Sequence, residues 1–353
     1  MALIGLLAER CPTDRRAWLG DVGYLLPTSN VDEDGWLASL EHERWRGMHP
    51  DLIPFAQDGF GNRFCFVRSE RDAMRGVRAI AYWMYETYRA VPVASSFDAF
   101  LGWNALTAHL AARRGDAVID EEHVQGDLLP LLAEVGAEVD LDAALDVSDP
   151  DVVGVHRAIL NLDPQAPGAQ VGLAAWMAKH DRPLEALDLC ADACFSFPEF
   201  AGARALSARI LRDEHDLERL SDALVQTLQR PLAYAGDEAM PFLRDLRPVD
   251  LDAVVETLAS QEDVPELIAD IALANFVLRE DPSLPQSWTI LALDYAREDA
   301  LEKAVTAANN ALYLGLTSPL CVEIHGLLEE LYDALGWAWH ARMVRRWGPS
   351  AGD

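Results

Sequence analysis

Hydrophobic and polar positions change their spacing along this chain. Between residues 1 and 110 two spacings are mixed. Trp36, Leu37, Leu40 and Trp45 fall at helical steps within residues 34–45. From Leu52 the pattern changes. Leu52, Ile53 and Phe55 form a short apolar run, Asp58-Gly59-Phe60-Gly61-Asn62 is a cluster of turn-forming residues, and Phe64 to Val67 resume as a β-rich run. Residues 77–88 are rich in β-branched and aromatic side chains and predict a further strand or pair of strands. After the break at 92–96, Ser95 or Ser96 caps a helix running through Phe97, Phe100, Leu101 and on to Leu110. The expected N-terminal part is a small mixed sheet flanked by helices, with residues 2–9 as its first helix.

Residues 115–150 are acidic, yet Leu128, Leu129, Leu131, Leu132 and Val135 predict a packed helix over 123–135. From about Asp149 the spacing is helical throughout. Pro164 and Pro198 stand 34 residues apart, as do Pro285 and Pro319. Repeats are read as starting at Pro167, near Ala201, at Leu251, at Pro285 and at Pro319, with the frame slipping between Leu232 and Asp250. Trp288, Leu291, Ala292, Tyr295, Ala304 and Ala311 carry the clearest repeat. Small residues recur because two crossing helices exclude larger ones, and proline recurs because it suits the first turn of a helix. These six positions resemble one tetratricopeptide-like repeat, a helix–turn–helix unit of about 34 residues. Such arrays bind other proteins. The expected division is residues 1–114 as an α+β domain, 115–150 as an acidic helical connector and 151–347 as an all-α solenoid.

Two further motifs carry a resemblance. Leu-Ile-Pro-Phe-Ala-x-Asp-Gly-x-Gly-Asn-x-Phe-Cys-Phe at 52–66 is followed by an aromatic-rich strand and then by Val-Ala-Ser-Ser-Phe-Asp-Ala-Phe-Leu at 93–101. In that order they resemble the SUKH superfamily, over about residues 20–110. That superfamily includes yeast cell-wall synthesis regulators and many bacterial toxin-immunity proteins. The resemblance implies a non-catalytic, protein-binding role.

Charge narrows the choice of partner. The chain has 353 residues and a formal net charge of −29. Residues 115–151 hold twelve acids and no base, and residues 152–353 hold 32 acids against 16 bases. Nucleic acid is a poor partner for such a surface, and a basic protein such as a nuclease toxin is a better one. The five cysteines are scattered and odd in number, which points to a reducing compartment. No apolar stretch is long enough to span a bilayer, and the basic residues near the start follow the apolar run, the wrong order for a secretory signal. A cytoplasmic protein is expected.

Chemistry is sought without result. Metalloprotease, phosphate-cradling and nucleophile-elbow motifs are all lacking. The cluster from Asp58 to Asn62 is read as a hairpin turn and not as a calcium loop, and Cys190 and Cys194 as small core residues and not as half a metal site. Trp337, Trp339 and Trp347 with His340 are read as covering the last apolar face of the array. No catalytic residue, cofactor or metal is therefore assigned. The partner-binding candidates are Trp45, Trp83, Tyr85 and Trp103 as aromatic anchors, of which one or two are expected to be exposed. Lys179, Arg209, Arg212 and Arg297 are candidates for a basic stripe along the concave groove of the helical array, suited to an acidic peptide. Two functions follow from the sequence: an immunity protein neutralising a basic toxin, or an intracellular adaptor that binds peptides in that groove.

Overall fold

The structure is a computed structural model. It describes residues 24–25, 48–58, 60–68, 79–114, 129, 133, 152–236, 239–246, 248–260, 272–277, 279–315 and 319–347. The helices expected over 2–9, 34–45 and 123–135 lie outside these residues, except for isolated positions 129 and 133.

The fold is an α+β part followed by an all-α part. Five strands form one sheet in sequence order: β1 (Tyr24–Leu25), β2 (Leu52–Gln57), β3 (Arg63–Val67), β4 (Ile80–Trp83) and β5 (Ala90–Ala94). Every pairing is antiparallel, so the sheet is a meander and not the mixed sheet expected. The connections from Gln57 to Arg63 and from Trp83 to Ala90 are too short for a parallel crossover. The first helix, α1 (Phe97–Arg114), starts where Ser96 Oγ accepts the Ala99 N–H at 3.1 Å. Its Phe97, Phe100 and Trp103 meet Phe55, Phe64 and Phe66 of the sheet, with ring centroids 4.5–6.1 Å apart across the cluster. These rings pack among fully buried Leu52, Ile80, Leu101 and Leu106 in the core of this part.

Two compact units emerge. One takes in the described residues of 1–44, 51–179 and 195–197. It therefore contains the sheet, α1, and two further helices, α2 (Val152–Leu162) and α3 (Pro167–Lys179). The change of hydrophobic spacing falls near residue 150, but the compact unit runs on to Lys179. Two local features hold α2 and α3 to the sheet. Asp163, just past α2, accepts from Ser95 N at 2.8 Å and Ser95 Oγ at 2.7 Å. Gly168 lies so near β5 that a Cβ there would sit 2.6 Å from the Pro92 carbonyl oxygen.

The other unit takes in the described residues of 45–50, 180–194 and 198–353. Its helices are α4 (Pro183–Ser196, nearly all of it here), α5 (Ala201–Asp213), α6 (Leu217–Leu228), α7 (Ala239–Asp245), α8 (Pro248–Ala259), α9 (Pro285–Arg297), α10 (Leu301–Tyr313), α11 (Leu320–Ala334) and α12 (Ala338–Trp347). Helices α5 and α6 pack as a pair, and α9 to α12 pack in succession. The repeat positions Trp288, Leu291, Ala292, Tyr295, Ala304 and Ala311 are all buried. The slipped frame is a 3₁₀ turn at Leu232–Tyr234 followed by the short α7. Asn310 of α10 holds this irregular stretch. Its Oδ1 accepts from Leu232 N at 2.7 Å and its Nδ2 donates to Arg230 O at 3.1 Å. Trp339 is buried and donates from Nε1 to Pro50 O at 3.2 Å. Trp337 packs on Tyr332 and His340, so these rings form no open cage. Among the described residues no helix is long and apolar enough to cross a membrane.

Candidate interaction surface

The best-defined polar network lies at one end of the sheet. β3 begins at Arg63, which pairs with Trp83 at the end of β4, and Trp83 pairs with Ala90 at the start of β5. The loop after β2 and the loop after β4 are thus neighbouring tips at the same end. Asp58 is the hub of the first tip. Its carboxylate accepts from Phe60 N at 2.8 Å, Asn62 N at 3.0 Å, Asn62 Nδ2 at 2.7 Å and the Tyr82 hydroxyl at 2.6 Å. Asn62 Nδ2 also reaches the Tyr82 oxygen, while Asn62 Oδ1 accepts from Tyr85 N at 3.0 Å. One asparagine side chain therefore ties the two tips together. Gly61 takes φ +94°, which a glycine adopts without steric cost.

These contacts set the protonation of the pair. Burial raises the Asp58 carboxyl, but the hydrogen bonds from Tyr82, Asn62 and the Phe60 and Asn62 backbones outweigh it and hold the carboxyl below its ordinary value. Burial, and then the hydrogen bond and charge of Asp58, push the Tyr82 hydroxyl well above the ordinary range. Asp58 is thus an ionised acceptor filled by N–H and O–H donors. That arrangement staples the turn between antiparallel β2 and β3, the hairpin the sequence led one to expect. Among the described residues no group of three His, Cys, Asp or Glu side chains converges to hold a metal.

The tips present aromatic rings. Phe60 is 85% exposed, Tyr88 42% and Tyr85 40%. Tyr88 sits at φ +56°, a left-handed conformation that costs a non-glycine residue roughly 1–2 kcal/mol. The second tip is closed by Met84 N donating to Arg89 O at 2.7 Å.

The expected partner-binding residues fare differently. Trp83 is fully buried and is corrected to a core residue, with Tyr88 against it at 6.0 Å between centroids. Trp103 is half-buried, stacked on Phe100 within the core cluster. Tyr85 is exposed at the tip, and Trp45 lies outside the described residues. Lys179 is exposed at the last turn of α3, in the first unit, whereas Arg209, Arg212 and Arg297 belong to the second. Arg209 is half-buried. Arg212 lies 3.9 Å from Asp250, a buried carboxylate, and 3.9 Å from Asp213. Arg297 has 71% of its side chain exposed and pairs with Asp294 at 2.6 Å. Arg212 and Arg297 thus have acidic partners beside them. Cys190 is buried and Cys194 half-buried; burial pushes the Cys194 thiol up, against the smaller opposing effect of Arg204 and Arg230. Phe60 and Tyr88, exposed at the same tips, were not among the sequence candidates, although the turn cluster around Phe60 marked the place.

Comparison with known proteins places part of the chain. No curated protein matches it. Among solved structures, Pseudomonas aeruginosa PilF matches over 70% of this chain and 88% of its own, at 12% identity and a TM-score of 0.26. A MamA double mutant from RS-1 matches over 51% and 93%, at 14% identity and a TM-score of 0.21. TM-scores this low establish no shared fold. Residues 7–103, the span that holds the sheet, both tips and the start of α1, match the model of the SMI1 / KNR4 family (SUKH-1).

Proposed function

We propose that this protein is a non-catalytic binding protein that neutralises a toxin, in the manner of the immunity proteins of the SUKH superfamily. The observation that supports this most is the match of residues 7–103 to the SMI1 / KNR4 family. The net charge of −29 favours a cationic toxin, such as a nuclease with a basic active site, because opposite charge speeds encounter and disfavours nucleic acid as a competing partner. The reading needs no cofactor, metal or membrane, and places the protein in the cytoplasm. The competing reading, an adaptor that binds acidic peptides along Lys179, Arg209, Arg212 and Arg297, is weakened by the local acidic partners of Arg212 and Arg297.

A growth assay tests the proposal. A protein encoded beside this gene and found to arrest growth is induced in a host that lacks both, with and without this chain. Restored growth in the presence of this chain is the expected result. Unrelieved killing by that protein, with this chain well expressed, contradicts it.

A further inference from the structure

Three residues that precede the strand β2 belong to the helical unit. Met48, His49 and Pro50 lie in neither a helix nor a strand, and all three are buried. They group with the second unit, although β2 starts at Leu52. Two elements of that unit receive them. Trp339 of α12 donates from Nε1 to Pro50 O at 3.2 Å. Tyr234, the last residue of the 3₁₀ turn, lies against His49, with ring centroids 5.2 Å apart at 56° and its hydroxyl 3.5 Å from Nδ1. The receiving side is held by its own unit. Asn310 fixes the backbone of the 3₁₀ turn through Leu232 N and Arg230 O, and Tyr332 and Trp337 pack on His340, the neighbour of Trp339. An indole N–H that reads a backbone carbonyl, a ring against a ring and a buried unbranched apolar side chain are the contacts by which a protein takes up an extended peptide.

We infer that the second unit carries a site for an extended peptide between its 3₁₀ turn and α12, and that Met48, His49 and Pro50 fill this site in cis. A partner segment with a flexible apolar side chain, then a ring, then proline enters by displacing them. Proline suits the third place because its fixed φ keeps the chain extended and its carbonyl is the group that Trp339 reads. The tether makes the cis segment a strong competitor, at an effective concentration on the order of millimolar. The site is therefore closed until a partner offers a better segment. The inference rests on the protein-binding reading above and names a surface for it on the helical unit.

The test uses the full chain and two fluorescent probes, the peptide of residues 45–51 and a scrambled peptide of the same composition. The variant M48S/H49S weakens the cis segment and leaves the receiving side untouched. It should bind the peptide at least about tenfold more tightly than wild type does, and show no such gain for the scrambled peptide. Adding W339F, which removes the indole N–H and keeps an aromatic ring, should weaken peptide binding roughly fivefold. H49S alone, the milder change, should show a smaller gain in the same direction, and thermal melting checks that each variant folds. A folded variant that takes the peptide no better than wild type, equal binding of the two peptides, or indifference to W339F would each overturn the inference. So would failure of both M48S/H49S and H49S to fold, since residues 48–50 would then be core and not a displaceable segment. Growth rescue without peptide exchange would remove this site and keep the immunity reading, and peptide exchange without rescue would do the reverse.

Discussion

Asp58 makes more of the sheet's end than any other residue. Four donors surround its carboxylate, so Asp58→Asn exchanges an acceptor for a group that must turn its own N–H toward other donors. A loss of about 2–4 kcal/mol is expected, measured as a lower urea midpoint. The pH dependence has a definite sign. Because the folded carboxyl titrates below its ordinary value of 3.8, its stabilisation is fully present above that value. It is lost as pH falls through the lower folded value. The gap in urea midpoint between wild type and Asp58→Asn should therefore be constant near neutrality and shrink on acidification below about pH 4. A gap that widens on acidification would contradict the assignment. Two arginines give a second comparison. Arg212→Glu sets a like charge against buried Asp250 and should cost about 1–3 kcal/mol, whereas Arg297→Glu, on an exposed side chain, should leave the melting temperature within about a degree or two. Arg212 therefore supports its fold, and its reversal is not a clean probe of binding. The sequence marked the turn at Asp58 to Asn62, but not its hydrogen bond to Tyr82, which lies 24 residues away and leaves no local signal. Trp83 and Tyr85 were both taken as aromatic anchors on residue type alone. The strand stops at Trp83, so Trp83 stays in the core and Tyr85 turns out to solvent.

Helix starts were the most legible elements. α3, α5 and α9 begin at Pro167, Ala201 and Pro285, where the proline spacing and the small residues put them. The spacing works because proline at the first turn forfeits only an N–H that has no partner in the helix. Ala304 and Ala311 of α10 are fully buried, as the repeat requires. Ala304→Phe should overpack the helix crossing and cost about 1–3 kcal/mol by thermal or urea denaturation. An unchanged midpoint would break the repeat assignment. What the hydrophobic pattern hid is the polar part of the same helix. Asn309 and Asn310 are polar, yet both are buried. Asn309 Nδ2 donates to Val305 O and to the Tyr332 hydroxyl, each at 2.9 Å, and Asn310 holds the irregular stretch before α7. Asn310→Ala should strand the Leu232 N–H and cost about 1–3 kcal/mol, more than an alanine at the exposed Glu302. The end of the first unit was equally hidden, because the Asp163–Ser95 contacts and the close approach of Gly168 to Pro92 join segments far apart in sequence.

At the scale of the whole molecule, charge and binding are the linked properties. With −29 on the chain, capture of a basic partner should have an association rate that falls steeply as salt rises, while the dissociation rate changes little. Stopped-flow mixing at two ionic strengths would show it, and a salt-independent association rate would mean that the acidic surface plays no part in encounter. The α+β and all-α parts were both legible from spacing, because a two-residue and a 3.6-residue period leave different marks on a sequence. The partner was not, since the few side chains that recognise a partner need follow no period. The central claim is that this protein acts by stoichiometric capture and not by chemistry. Its most direct measurement is an inhibition titration of a growth-arresting protein that co-purifies with this chain, held far above the dissociation constant. The account predicts that toxin activity falls in a straight line and ends at one molecule of this chain per toxin molecule. Full inactivation by a small fraction of one equivalent, or no inhibition at a large excess, would contradict it.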